Sequence, residues 1–118
     1  FKGSVSHEER VSLYNKAKVF VYPSFFEGFG FPPLEAQACG CPVIVADRTS
    51  LPEVVGDSAL RVNPWNVDGL ASAMQQVAAD EGLRTRLVNA GYENVKRFTW
   101  EKTARETLNV IRDSMEIQ

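Results

Sequence analysis

Two glutamates, Glu27 and Glu35, enclose the segment Gly28-Phe29-Gly30-Phe31-Pro32-Pro33-Leu34. An ionised carboxylate only accepts hydrogen bonds, so a pair of them suits two sets of hydroxyl groups, those of a sugar ring and the vicinal pair of a ribose. Gly28 and Gly30 permit positive φ and carry no side chain to bar a ligand from the backbone. Their N–H groups, with those opening the following helix, are placed to hold a phosphate or a sugar oxygen. Two spaced glycines fit an ordinary strand-to-helix loop equally well.

Pro33 disfavours helical geometry for Pro32, and Pro32 does the same for Phe31, which puts the helix N-cap at Pro32 and its first turn at Pro33. Glu35 then takes the third helical position. A glutamate there usually bonds back to the N-cap N–H, which Pro32 lacks, so the carboxylate is left for another partner. A first-turn acid also gains about 0.3–1 kcal/mol from the helix dipole whatever its function, and that reading stays open.

Other reactive residue types carry less. His7, the sole histidine, falls in a first turn after Ser6 and reads as a surface residue. Cys39 and Cys41 flank Gly40 without further ligands, which suits packing in a turn better than a metal. Ser24 has no partner histidine for nucleophilic work and reads as a turn residue beside the pocket. Asp47 and Glu53 read as cap and surface positions, and Trp65 and Trp100 as core or interdomain packing.

The elements that must position these residues follow from local patterning. Ser6 and Glu9 form a capping-box pattern, with Val11, Tyr14 and Ala17 at helical spacing, which predicts a helix over 7–17. The apolar runs over 19–22 and 42–46 predict strands buried on both faces. Between them a short helix of small residues, Ala36, Ala38 and Cys39, ends at Gly40 and completes a βαβ unit. Ser50 caps a brief helix through Val55 that Gly56 ends, and Leu60 and Val62 alternate with Arg61 in an exposed edge strand. Asn66 opens an amphipathic helix carrying Val67, Leu70, Ala71, Met74, Val77 and Ala78, broken at Gly82. Leu83, Leu87 and Val95 mark the next helix, and Thr99 caps a last one with Trp100, Ala104, Leu108, Ile111 and Met115 on one face. The whole is one α/β unit: a Rossmann-like parallel sheet with helices on both faces and a helical C-terminal end. Ligands of such sheets bind beyond the carboxyl ends of the strands, where 23–35 lies.

Composition agrees. The 118 residues, 44% apolar and 24% charged, suffice for one core but not two. A net charge of -2 gives no basic excess to favour nucleic acid or an acidic membrane. No apolar run approaches the roughly 20 residues of a membrane span, and the two cysteines do not make a disulfide scaffold. A cytoplasmic setting is expected, with the inner face of a membrane open to the full-length protein. Phe1-Lys2-Gly3 reads as the tail of a strand, and the chain as a fragment.

Several blocks carry a family resemblance: Tyr22-Pro23-Ser24, Glu27 through Pro32, Leu34-Glu35-Ala36, Gly40 through Ile44, Ser50 through Val54, and Phe98-Thr99-Trp100. Together, in this order, they resemble the retaining glycosyltransferases of family 4, of the GT-B fold. The resemblance implies two Rossmann-like domains facing a cleft, this chain being the nucleotide-sugar-binding second half of the C-terminal one. It implies that Glu27 contacts hydroxyls of the transferred sugar and serves catalysis, and that Glu35 contacts the nucleotide ribose. Gly28, Phe29, Gly30, Phe31 and Leu34 would complete the donor site around the diphosphate and sugar. The donor would be a nucleoside-diphosphate sugar, with no cofactor, metal or covalent nucleophile. A sugar-nucleotide epimerase and a noncatalytic binding or assembly module are the alternatives.

From Val19 through Asp47 there is no Lys or Arg, so the expected site offers a diphosphate no local cation. In the family a basic pair lies upstream in the same domain and a histidine comes from the N-terminal domain. The chain alone is therefore expected to be inactive and to bind donor weakly. The strand at 19–22 would normally pair with an upstream strand, so its bare edge predicts self-association.

Overall fold

The computed structural model describes residues 2–116. Ser6 caps the first helix, α1 (His7–Lys16), through a reciprocal box in which Ser6 Oγ accepts from the Glu9 N–H and Glu9 accepts from the Ser6 N–H. Of its expected apolar face, Tyr14 is the residue that is buried. Phe1 lies outside the described residues, and Lys2 and Gly3 are not in a strand.

Three parallel strands, β1 (Phe20–Tyr22), β2 (Val43–Ala46) and β3 (Leu60–Val62), form a sheet in the order β1-β2-β3. Phe20, Val21 and Tyr22 align with Val43, Ile44 and Val45, and Ile44, Val45 and Ala46 with Leu60, Arg61 and Val62. Every residue of β2 is buried, as its continuous Val-Ile-Val-Ala run requires of a central strand. Both β1 and β3 are edges among the described residues. The alternation of β3 suggested this, but the apolar run of β1 suggested burial on both faces, and its three residues are only half-buried because an edge strand is covered less fully than a central one.

Alternation along the strands sends side chains to two cores. On one face Val43 and Val45 pack with Tyr14, Leu34, Leu51, Val54 and Val55, with Phe20 and Tyr22 alongside. On the other, Ile44 packs with Ala73, Val77 and Leu87, flanked by Val19, Val21, Leu60 and Val62. Helices α2 (Phe31–Ala38) and α3 (Leu51–Val55) thus cover one face, and α4 (Val67–Ala79) and α5 (Glu81–Val95) the other. The α/β sandwich read from the sequence holds.

Local details depart from expectation where the third dimension intervenes. The break between α4 and α5 falls at Asp80, whose carboxylate accepts from the Leu83 N–H at 2.9 Å, so Gly82 lies inside α5. On α4 only Ala73 and Val77 are fully buried, while Val67 and Met74 face water, because a three-stranded sheet covers a narrow strip of the helix. Gln37, Ser58 and Asn94 are buried and join α2, the loop after α3, and α5. Gln37 Nε2 donates to Ser58 Oγ at 2.7 Å, and Asn94 Nδ2 to Gln37 Oε1 at 2.8 Å and the Val54 carbonyl at 3.0 Å. Such a group leaves no buried polar atom orphaned. Gly40 turns the chain out of α2 at φ +74°, where an added Cβ would strike the Tyr92 hydroxyl.

The last helix, α6 (Trp100–Glu116), is capped by Thr99 Oγ1, which accepts from the Lys102 N–H at 3.1 Å. None of its described residues is buried, and Trp100 is 82% exposed. Trp65 is exposed as well, against Phe25 and beneath the Arg48 guanidinium. Neither tryptophan is therefore a core residue of this chain, since each keeps most of its surface exposed.

Candidate functional site

Glu27 follows the carboxyl end of β1 and is fixed at four points. Its Oε1 accepts from the Tyr22 hydroxyl at 2.6 Å and from Ser24 Oγ at 2.8 Å. Its N–H donates to Thr49 Oγ1 at 3.1 Å, and its carbonyl accepts from Ser50 Oγ at 3.0 Å. The hydrogen bonds from Tyr22 first and Ser24 second hold the Glu27 carboxyl below its usual range, because both donors favour the anion. Burial, and then the Glu27 carboxylate, push the Tyr22 phenol up to about 12. The arrangement is an ionised acceptor with a neutral donor locked against it.

Three of these partners were not legible as such. Ser24 holds the carboxylate instead of merely shaping a turn. Ser50 occupies the N-cap of α3, but its side chain makes no cap bond. Its hydroxyl points instead to the carbonyls of Glu27 and of Phe29, the latter at 2.6 Å, so the loop after β2 clamps the loop after β1. Thr49 has φ 53°, a costly conformation for a β-branched residue. The conformation comes with its bond to the Glu27 backbone.

The start of α2 corrects the expected frame. Gly30 is the N-cap at φ 120° and ψ 50°, and Phe31 opens the helix. A proline's restriction on its predecessor is a preference, and Pro32 and Pro33 fit the first turn because their missing N–H groups would have had no helical partner. Gly30 is buried, and a Cβ there would lie 2.9 Å from Leu51 Cδ2. Gly28, by contrast, is exposed, has no positive φ and leaves open space where a Cβ would be. Glu35 consequently stands in the second turn, where neither the capping argument nor the first-turn dipole applies.

Nor is Glu35 unpartnered. Arg10 Nε of α1 lies 3.2 Å from Glu35 Oε2. The partner of this carboxylate comes from a helix outside 19–47, and the pair leaves the expected diphosphate site without a cation from that segment. Burial, followed by the charge of Glu35, raises the Tyr14 phenol beside it. Glu35, Phe29, Phe31 and Leu34 line a cavity of about 450 Å³ closed by Phe98 and Trp100. Leu34 is itself buried and backs the cavity from the core. Glu27 does not line this cavity, so the two carboxylates open onto separate surroundings.

The remaining candidates lie elsewhere. His7 is exposed, with Nδ1 3.3 Å from Arg10 Nη2. Cys41 is buried and its thiol is pushed up to about 11 by burial, while Cys39 is half-buried. Asp47 makes a loose surface pair with Arg61 at 3.7 Å, and Glu53 is exposed.

The parallel α/β layer is that of a GT-B fold, and the chain belongs to the glycosyl transferases group 1 family, whose model matches residues 1–94. It is 42% identical over 112 residues to O-antigen chain mannosyltransferase B of Escherichia coli, across 95% of this chain and 29% of that protein. It is 37% identical over 117 residues to a D-inositol 3-phosphate glycosyltransferase of Streptomyces bingchenggensis, across 98% of this chain and 26% of that protein. Among solved structures, a sucrose-phosphate synthase from Thermosynechococcus elongatus superposes with a TM-score of 0.83 at 34% identity, over 100% of this chain and 30% of that one. The chain spans less than a third of the length of these relatives. No helix among the described residues is long and apolar enough to cross a membrane.

Proposed function

We propose that this chain is the donor-binding half of the C-terminal Rossmann-like domain of a family 4 retaining glycosyltransferase, which moves a sugar from a nucleoside-diphosphate sugar to an acceptor. The observation that carries the reading is Glu27, an anion held by Tyr22 and Ser24 beyond the carboxyl end of β1. Glu27 accepts from hydroxyls of the transferred sugar, and Glu35 from the ribose. The backbone of Gly28, Phe29, Gly30 and Phe31 lines the diphosphate and sugar, with Leu34 behind it.

Attack comes from the face the diphosphate leaves, and the diphosphate itself takes the acceptor proton. Catalysis then rests on holding the reactants in register and on stabilising the leaving group by cations and oriented N–H donors. No metal or covalent nucleophile takes part. Arg10 is engaged with Glu35, so cations for the diphosphate come from outside this chain, which alone is inactive and binds donor weakly. The mannosyltransferase among the relatives makes mannose the first sugar to try.

Calorimetric titration of the full-length protein with UDP-, GDP- and ADP-sugars tests the reading. One nucleotide sugar should bind and turn over, while the 118-residue chain transfers none. Failure of every donor to bind the full-length protein would reject it.

A further inference from the structure

We infer that Tyr22 and Ser24 are positioning residues that make Glu27 a one-sided acceptor, committing Oε1 to the protein and leaving Oε2 to select a donor sugar with a free hydroxyl at one ring position. The inference deepens the donor-site reading and rests on it.

Both donors converge on the same oxygen, Tyr22 at 2.6 Å and Ser24 at 2.8 Å. Ser24 has one proton to give. Its second acceptor, the Phe26 carbonyl, lies at 3.1 Å, so the shorter, charge-assisted bond to Glu27 takes the proton. Two donors on one oxygen fix the plane of the carboxylate, while Thr49 and Ser50 fix its backbone. A carboxylate so held cannot turn Oε1 toward a ligand. It remains ionised, so it offers lone pairs and no proton, which suits recognition of a hydroxyl and not general acid chemistry. A sugar lacking that hydroxyl would leave a desolvated oxygen without a partner, the arrangement that discriminates best against an analogue missing one polar group.

Tyr22→Phe isolates the effect, because the ring keeps its stacking on Phe20, with centroids 5.8 Å apart, and loses only the hydroxyl. In the full-length enzyme, Tyr22→Phe and Ser24→Ala should each weaken the nucleotide sugar about fivefold, the worth of one hydrogen bond. The nucleoside diphosphate without its sugar should bind within about twofold of wild type. Ser24→Thr should restore affinity, the double variant should approach Glu27→Gln, and the acid limb of donor binding should move to higher pH in the double variant. An unchanged urea midpoint for Tyr22→Phe shows that the fold is intact. If Glu27→Gln loses the sugar-dependent affinity while the double variant keeps it and its pH profile, the positioning inference is overturned and the donor-site reading stands. If Glu27→Gln itself keeps that affinity, the role of Glu27 falls, and this inference with it.

Discussion

Arg10 on the first helix reaches Glu35 on the second, Nε to Oε2 at 3.2 Å, with both side chains about two-fifths exposed. This pairing changes the meaning of Glu35, which sequence alone left as a carboxylate without a neighbour. The pair orients Glu35 more than it stabilises the fold, because an exposed ion pair contributes at most about 1 kcal/mol.

Arg10→Ala should therefore shift the urea unfolding free energy by less than about 1 kcal/mol. Glu35→Gln should raise the donor dissociation constant of the full-length enzyme about tenfold, the loss of one charge-assisted hydrogen bond to ribose. An unchanged constant would reduce Glu35 to a partner of Arg10.

The linked pair Tyr22 and Glu27 gives opposite pH dependences. The Glu27 carboxyl is lowered by folding, so its contribution to stability is full above the ordinary carboxylate range and is lost as pH falls through its depressed value. The Tyr22 phenol is raised from 10.0 to about 12, so its contribution is full below pH 10 and is lost as pH rises through about 12. Phenolate absorbance should show one tyrosine titrating last in the wild type. That late step should disappear in Tyr22→Phe and move down in Glu27→Gln, where the second cause of the shift is removed.

Asn94 binds Gln37 and the Val54 carbonyl from inside the core. Asn94→Ala leaves both acceptors buried, and should cost about 1–3 kcal/mol in urea unfolding. A double-mutant cycle with Gln37→Leu should give a coupling above about 0.5 kcal/mol, since the two side chains share one bond. Simple additivity would show that the two act independently.

Among the described residues β1 has one paired and one bare edge, and an uncovered strand edge is a template for another chain. Light scattering at rising concentration should show the 118-residue chain forming dimers or larger species. A monomer throughout would count against an open edge.

Sequence reading succeeded where a signal acts within a few residues and failed where distant segments meet. Ser6 with Glu9, Asn66 with Gly69, and Thr99 with Lys102 are local bonds, and all are present. The central strand announced itself by four apolar residues in a row. Arg10 and Glu35, or Gln37 and Asn94 at a separation of 57 positions, have no local pattern, because the sheet and helix packing decide that they meet. The helix start failed for another reason: a valid rule about prolines was weighed without the stronger claim of Gly30, which alone tolerates its backbone angle and the closeness of Leu51. The place of Glu27 beyond the carboxyl end of β1 was legible, but its supports on the loop after β2 were not.

The last helix, 17 residues from Trp100 to Glu116 with none of them buried, belongs to neither core. Most helical stability in proteins comes from packing an apolar face, and α6 buries none of its residues. The cooperative unit of this chain therefore closes near Phe98, the last residue that packs on a core. Beyond it the amides of α6 exchange with solvent on their own schedule, set by fraying of a single helix and not by global opening of the sheet.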